Sequence, residues 1–430
     1  MTSMTNGVNP NLNLLVLQSR TLFLLCTVLA LILTGCSVPN HEKVWFSYTR
    51  FDQGCDNLAN CSKLTDEAAA SQYYRSIGAE DYNGNPYFNL EQWKQTFGYY
   101  DSTVVRAVYG NKLDLQFGRD MNCWQPADYQ VACYVSNYGP PPFTGGRENE
   151  LWEQIALPTG VFDAVEGDIH KSFGTVAMVY SSGGGVYKDH VAFYAFGKAD
   201  ADGNSPLIRS VALDGEGPKT VPGMCMNCHS GGDHGDAYHQ DNFLPFDVQS
   251  FSFNAGYISD SGYFHDVPTD FNLDNQQEAF RQLNALVLKT NPTPAIRNLI
   301  NGLYPDGVNT PGATVPDDTY IPAGWDIDKQ SRNLYRNVYR KYCRMCHVAQ
   351  KGYVVNNQFV SLAFESLDEF KTKCLMVRDL VYSHSMPNSE VPYGAFQSGN
   401  PFPVARFPGF WTDGVAQSDL QDFVGGRDCY

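Results

Sequence analysis

The sequence predicts an α+β protein, in which a β-rich N-terminal part with helices is followed by a mainly α-helical part. Runs rich in β-branched and aromatic residues predict the strands of an antiparallel sheet, at residues 103–109, 174–180 and 191–196. The last two runs flank a glycine-rich turn at 181–185, so we expect them to pair. Further along the chain, apolar periodicity and helix-breaking prolines predict helices over 275–289 and 294–304.

Local chemistry predicts where other elements begin or turn. Thr65 precedes two acidic residues and predicts a helix start, because its hydroxyl can cap free amides. Asn89 predicts a second helix over 90–97, which Gly98 ends. The stretch 200–204 is similar to a calcium loop, but its glycine is misplaced and a chelating Glu is missing. A hairpin turn is therefore the preferred interpretation of this stretch.

The first 35 residues are typical of a secretory signal. The apolar run over 21–33 is shorter than the roughly 20 residues of a spanning helix. Leu33-Thr34-Gly35-Cys36 follows, and this motif resembles the bacterial lipoprotein signal. The resemblance implies an exported protein that faces the periplasm or the cell surface and is anchored through acylated Cys36, with Ser37 compatible with the outer membrane. An ordinary secretory signal and an uncleaved anchor are the alternatives.

The chain is acidic, with 46 acidic and 30 basic residues and a formal net charge of −16. Such a field argues against nucleic acid and anionic membrane surfaces as partners. Two interpretations stay open. The charge either keeps the protein soluble or supports salt-sensitive docking to a redox partner with a basic surface.

The twelve cysteines fall into groups with different expected roles. Cys26 lies in the signal segment and Cys36 at the lipid site, and four belong to the two motifs described next. The other six are expected to form disulfides, because an exported protein meets an oxidising compartment. Proximity favours Cys55–Cys61 and Cys123–Cys133 and leaves Cys374–Cys429, although other pairings are possible.

Two pentapeptides carry the strongest chemical signal, Cys225-Met-Asn-Cys228-His229 and Cys343-Arg-Met-Cys346-His347. Cysteines three apart on a helical turn face one way, and a histidine after the second can reach iron from that side. The pattern predicts two covalently bound c-type haems, with His229 and His347 as iron ligands. A four-cysteine zinc site is the alternative, but it needs two distant pairs to converge. A thioredoxin-like redox pair is less suited to the pattern, because it does not require a histidine after the second cysteine.

These features predict five parts of the chain. They are a signal peptide, a tether, an α+β domain, a first haem region and a second haem domain, at residues 1–35, 36–64, 65–215, 216–320 and 321–430. The last boundary is placed in a stretch rich in Pro, Gly and Asp. No internal repeat is found beyond the two haem motifs.

Residues 326–430, around the second motif, resemble class I c-type cytochromes. The segments similar to helices of that family are 330–342, 367–382 and 418–423. The resemblance implies a mainly α-helical, cytochrome c-like haem domain in which Met386 is the axial methionine. His384 is the rival ligand. A His/Met pair stabilises ferrous iron and raises the potential, which suits an electron carrier.

The sixth ligand of the first haem is open at this point. His239 and His234 lie close to the first motif and are the first choices. The alternatives come from the predicted sheet, and they are His190, Met178 and Met121. Arg119 is a candidate partner for a haem propionate, although a plain surface arginine is the preferred interpretation.

Two classes of function fit these motifs. An exported dihaem cytochrome would transfer electrons between periplasmic or cell-surface redox partners, without substrate chemistry of its own. The alternative is a dihaem oxidoreductase, peroxidase-like or oxygenase-like and similar in haem count to bacterial cytochrome c peroxidases, with an open site at the first haem. The long segment before the first motif departs from the layout of that family. The electron carrier is therefore the preferred interpretation.

Overall fold

The computed structural model describes most of the chain that follows the N-terminal segment. The described residues are 67–111, 117–139, 157–182, 190–211, 218–229, 241–253, 257–258, 264–265, 268–310, 315–350, 352–355, 358–382 and 413–425. The predicted signal peptide, the lipid site Cys36, the helix cap Thr65 and the Cys55–Cys61 disulfide lie outside these residues and stay predictions. Within the described ranges, none of the helices combines the length and the apolar character needed to cross a bilayer.

Five strands form one antiparallel sheet, in which each strand pairs with the next along the chain. They are β1 (Val105–Gly110), β2 (Gly118–Ala127), β3 (Gln130–Tyr138), β4 (Gly174–Ser181) and β5 (His190–Phe196). The three predicted strands correspond to β1, β4 and β5. Tyr180 lies opposite Val191, so β4 and β5 pair as expected. This sheet and its surrounding helices confirm the α+β class.

The disulfide between Cys123 and Cys133 is confirmed. The two residues lie opposite each other on β2 and β3, and their sulfurs are joined by a bond of 2.00 Å. Cys374 is also in a disulfide, whose partner lies outside the described residues. The specific Cys374–Cys429 pairing therefore stays a prediction.

Two helices precede the sheet, α1 (Glu67–Ser76) and α2 (Leu90–Thr96). α2 starts as predicted, because the Asn89 side chain accepts from the amide of Gln92 in a reciprocal capping box. Gly98, at a φ of 69°, follows its end. In α1, the hydroxyls of Tyr73 and Tyr74 accept hydrogen bonds from two amides of edge strand β5. Edge amides that would otherwise attract a foreign strand are thereby covered.

One helix was not predicted, α3 (Leu157–Glu166), which lies in a region whose composition indicates strands. Its early proline and glycine weaken any helical signal in the sequence. The glycine has a packing role, because a side chain at Gly118 of β2 would clash with the backbone of Gly160. The close approach lets Val161 and Ala164 pack against Val108. Tertiary packing therefore outweighs local propensity here.

The middle of the chain contains short strand pairs and three helices. The strands are β6 (Ser210–Val211), β7 (Lys219–Thr220), β8 (Tyr257–Ile258) and β9 (Phe264–His265), and the helices are α4 (Gly223–His229), α5 (Leu273–Leu288) and α6 (Pro294–Leu303). α5 and α6 confirm the two predicted helices within one or two residues. The predicted turn at 200–204 is also confirmed, because Asp200 accepts from the amides of Asp202 and Asn204 and the chain returns beside β5.

The C-terminal part begins with one continuous helical stretch, formed by α7 (Lys329–Leu334), a π-helix (Tyr335–Cys343) and α8 (Arg344–His347). Then come β10 (Tyr353–Val355), β11 (Gln358–Val360), α9 (Leu367–Lys371), α10 (Cys374–Tyr382) and α11 (Gly414–Val424). The helix predicted over 367–382 is thus divided in two. Leu334, Val338 and Tyr342 are buried, as their helical spacing indicates.

Two hydrophobic clusters account for most of the buried apolar side chains. The larger one joins α1, α2, the sheet, α5 and α6, and also takes in Val348, Ala349 and Ala363 from beyond the second motif. The smaller one gathers C-terminal aromatic residues around Trp325 and Tyr335. The second motif therefore lies where the two clusters meet.

Candidate haem-binding centre

The first motif occupies the short helix α4, so Cys225 lies about one turn before the adjacent residues Cys228 and His229. Nδ1 of His229 is 2.9 Å from the backbone oxygen of Asn242. A carbonyl only accepts, so Nδ1 carries the hydrogen and Nε2 keeps its lone pair. Burial lowers the pKa of His229 to about 4, and the ring is therefore neutral at physiological pH.

The second motif shows the same arrangement at the junction of the π-helix and α8. Nδ1 of His347 is 2.8 Å from the backbone oxygen of Leu362, and its ring stacks on Phe364 with centroids 5.0 Å apart. Because a carbonyl only accepts, Nδ1 of His347 also carries the hydrogen. Each motif thus presents two thiols and one correctly protonated imidazole.

The two motifs converge. The Cys228 and Cys346 sulfurs are 3.2 Å apart, although 118 residues separate them in the sequence. Thr293, which caps α6, helps to join the two sites: its amide donates to the Asn242 side chain and its hydroxyl to the Val348 carbonyl. Sequence reasoning did not foresee this contact, because no local pattern encodes it.

Convergence is the condition that the zinc alternative required, but the donor arrangement does not fit that metal. Among the described residues, no three His, Cys, Asp or Glu side chains are grouped to hold one ion. All four motif cysteines are free of disulfides. Burial raises the pKa of Cys225 and of Cys343 to about 12, so both are neutral thiols at physiological pH. Neutral thiols are compatible with addition to a vinyl group.

A largely apolar cavity separates α4 from one face of the sheet. The strand register places alternate residues on that face, and those that line the cavity include Tyr109, Arg119, Met121, Val176, Met178 and Phe193. The opposite wall is formed by Cys225, Cys228 and His229, together with residues of the second motif. Paired thiols, an available imidazole and apolar walls fit a covalently bound porphyrin.

Two arginines place positive charge in this cavity. Arg119 is only 7% exposed, so its interpretation as a plain surface arginine is wrong. Arg344, inside the second motif, is 3% exposed and donates to Asp247 and to the Tyr335 hydroxyl. Because anionic groups favour buried guanidinium partners, Arg119 fits the role of neutralising a propionate.

Some of the predicted sixth ligands lie in the described part of the chain, and others lie outside it. His234, His239, His384 and Met386 lie outside the described residues and stay predictions, as does the side chain of His190. Met121 and Met178, which the sequence argument placed behind the histidines, both line the cavity. Along β2 and β4, Met121 and Met178 alternate with residues that belong to the other sheet face. The sequence shows this alternation, but only the strand register tells which face the two methionines occupy.

No protein-family model matches this chain. No curated protein matches it, and no solved structure matches it either. The chemical interpretation of the centre therefore depends on the residues and distances described above.

Proposed function

We propose that this protein is an exported c-type cytochrome that binds two haems covalently and transfers electrons between redox partners outside the cytoplasm. The observation that carries the proposal is the contact between two Cys-x-x-Cys-His motifs, with Cys228 and Cys346 sulfurs 3.2 Å apart. Both motif histidines have Nδ1 bonded to a backbone carbonyl. This tautomer suits iron ligation through Nε2.

Each haem would be held by one motif. Cys225 and Cys228 would each add to one vinyl group of one porphyrin, with the sulfur bonding to one vinyl carbon and the thiol hydrogen going to the other. Cys343 and Cys346 would hold the second porphyrin in the same way. Haem supplies one-electron chemistry when it is bound.

The polypeptide contributes orientation and exclusion of water. Hydrogen bonds from Nδ1 hold each ring in place and raise the basicity of the ligating nitrogen. Phe193 packs edge-on against His229, with ring centroids 5.7 Å apart, and Phe364 covers His347. Haems attached through Cys228 and Cys346 would lie close together in the same protein interior. This proximity supports electron exchange between them.

The remaining parts of the proposal concern location and fold. Cleavage before Cys36 and acylation of that residue would anchor the protein as a lipoprotein, with the outer membrane the preferred address. The C-terminal residues 321–430 would form a cytochrome c-like haem domain, with Met386 as its axial methionine. The acidic chain would dock to partners with basic surfaces.

The decisive experiment measures covalently retained haem. Protein matured in cells that attach c-type haem is denatured, and haem per chain is determined from its absorbance and from intact mass. The wild type is expected to retain two haems. The variants Cys225→Ala/Cys228→Ala and Cys343→Ala/Cys346→Ala should each retain one.

The matched control is Cys123→Ala/Cys133→Ala, which removes the sheet disulfide but no motif thiol and should retain two haems. A wild-type protein without retained haem would refute the proposal. A single haem per wild-type chain would refute the assignment of a haem to one of the two motifs.

A further inference from the structure

We infer that Met178 of β4 supplies the second axial ligand of the iron that His229 binds. The inference rests on the proposed function, since it concerns the haem held by Cys225 and Cys228. It assigns that haem to the low-reactivity, electron-carrying class, because both axial positions would be filled by protein.

The sheet register puts Met178 on the wall that faces the first motif. Met178 lies opposite Cys133 on one side and Phe193 on the other, so all three side chains share one sheet face. Phe193 contacts the His229 ring. Met178 is therefore the direct cross-strand neighbour of a residue that touches the proximal histidine.

The other end of the motif lies over the same strand. Cys225 and Val176 pack against the same small cluster of Phe117 and Met224, and Val176 is two residues from Met178 on the same face of β4. Val176 and Phe193, which line the cavity together with the first motif, are the neighbours of Met178 on this sheet face. Met121 lies two strands away on β2, with Val135 of β3 between it and Val176.

The other soft donors around the cavity are less suited to this role. Met224 precedes Cys225, and Met345 lies between the cysteines of the second motif. Both belong to the segments that carry the thiols, whereas a sixth ligand must approach from the opposite side of the porphyrin. His170, whose ring lies beside Gly203, is not among the residues that line the cavity.

The test uses carbon monoxide binding to the reduced, haem-loaded full chain. Met178→Leu keeps the side-chain volume and removes the thioether, so it should open one iron site. The variant is expected to bind one more carbon monoxide per chain than the wild type and to lose intensity in the weak far-red band of methionine-ligated ferric haem. Met178→His should close the site again and lower the reduction potential of one haem.

Met121→Leu removes the other thioether of the same sheet face and should bind no more carbon monoxide than the wild type. Met376→Leu, which removes an exposed thioether outside the cavity lining, is the matched control and should behave like the wild type. The inference is overturned if Met178→Leu binds no additional carbon monoxide, or if Met121→Leu gains the open site instead. A wild-type first haem that already binds carbon monoxide and consumes peroxide would also overturn it, and would support the oxidoreductase alternative. Haem per chain is measured first, because it tests the proposed function separately. When two haems are retained, the carbon monoxide result tests the role of Met178 alone.

Discussion

At the scale of single residues, one buried ion pair connects the second motif to the segment that follows the first. Arg344 and Asp247 are 3% and 5% exposed, and Nε of Arg344 donates to the Asp247 carboxylate over 3.0 Å. Burial alone disfavours the charged guanidinium, but the Asp247 carboxylate and the Tyr335 hydroxyl together hold the pKa of Arg344 above its ordinary value. A charge in this position is stable only with its partner.

We predict that Asp247→Ala lowers the free energy of unfolding by about 3–5 kcal/mol, since it leaves the Arg344 charge buried and unpaired. The measurement is urea unfolding of the haem-loaded protein. Asp326→Ala is the control, because the Asp326–Arg332 pair is largely exposed and should contribute less than about 1 kcal/mol. Equal losses in the two variants would contradict the structural role of the buried pair.

At the scale of elements, the sheet is held by what covers its edges and faces. Gln276 of α5 both donates to and accepts from the backbone of Val108 on edge strand β1. The tyrosines of α1 cover β5 at the other edge. On one face, α3 packs against β1 and β2, where Gly118 and Gly160 allow the two backbones to come close. The position of the cavity wall depends on these contacts.

Gly118→Ala should therefore destabilise the protein by about 1–3 kcal/mol, because the added methyl group forces α3 away from β2. The urea midpoint of the haem-loaded protein reports the change. Gly414→Ala is the control, since a methyl group there meets open space at the start of α11 and should leave the midpoint unchanged or slightly higher. A midpoint for Gly118→Ala equal to that of the wild type would show that α3 does not lie this close.

At the scale of the whole molecule, distant segments meet because they share one hydrophobic cluster. α5 and α6, which separate the two motifs in the sequence, pack with the sheet in the larger cluster. Because α5 and α6 pack against the sheet, the chain that follows them places the second motif beside the first. The full chain carries a formal net charge of −16, which influences how charged partners approach.

For the proposed electron carrier, the predicted consequence is a salt-dependent rate of electron exchange. Reduction by a small cationic reagent should be about tenfold faster than by an anionic reagent of similar potential at low salt. The difference should shrink as salt screens the acidic surface. Stopped-flow absorbance of the haems measures both rates, and a neutral reductant, whose rate should not depend on salt, is the control. Equal salt dependence for cationic and anionic reagents would rule out steering by the net charge.

The sequence alone determined the features that depend on near neighbours. The cap at Asn89, the strands β4 and β5, the helices α5 and α6 and the Cys123–Cys133 disulfide all follow from residues close together along the chain. The two Cys-x-x-Cys-His motifs belong to this group, because each pattern is complete within five residues. Backbone propensity, capping and short loops act over a few residues, so local patterns are sufficient to predict them.

Tertiary structure decided which of these pieces meet. It brought Cys228 against Cys346, buried Arg119, formed α3 where composition indicated strand, and put Met178 on the wall that faces His229. Each outcome depends on strand register and on burial of apolar surface by segments far apart in the chain. The free energy of such contacts comes from the assembled core, and a local stretch of sequence does not contain it.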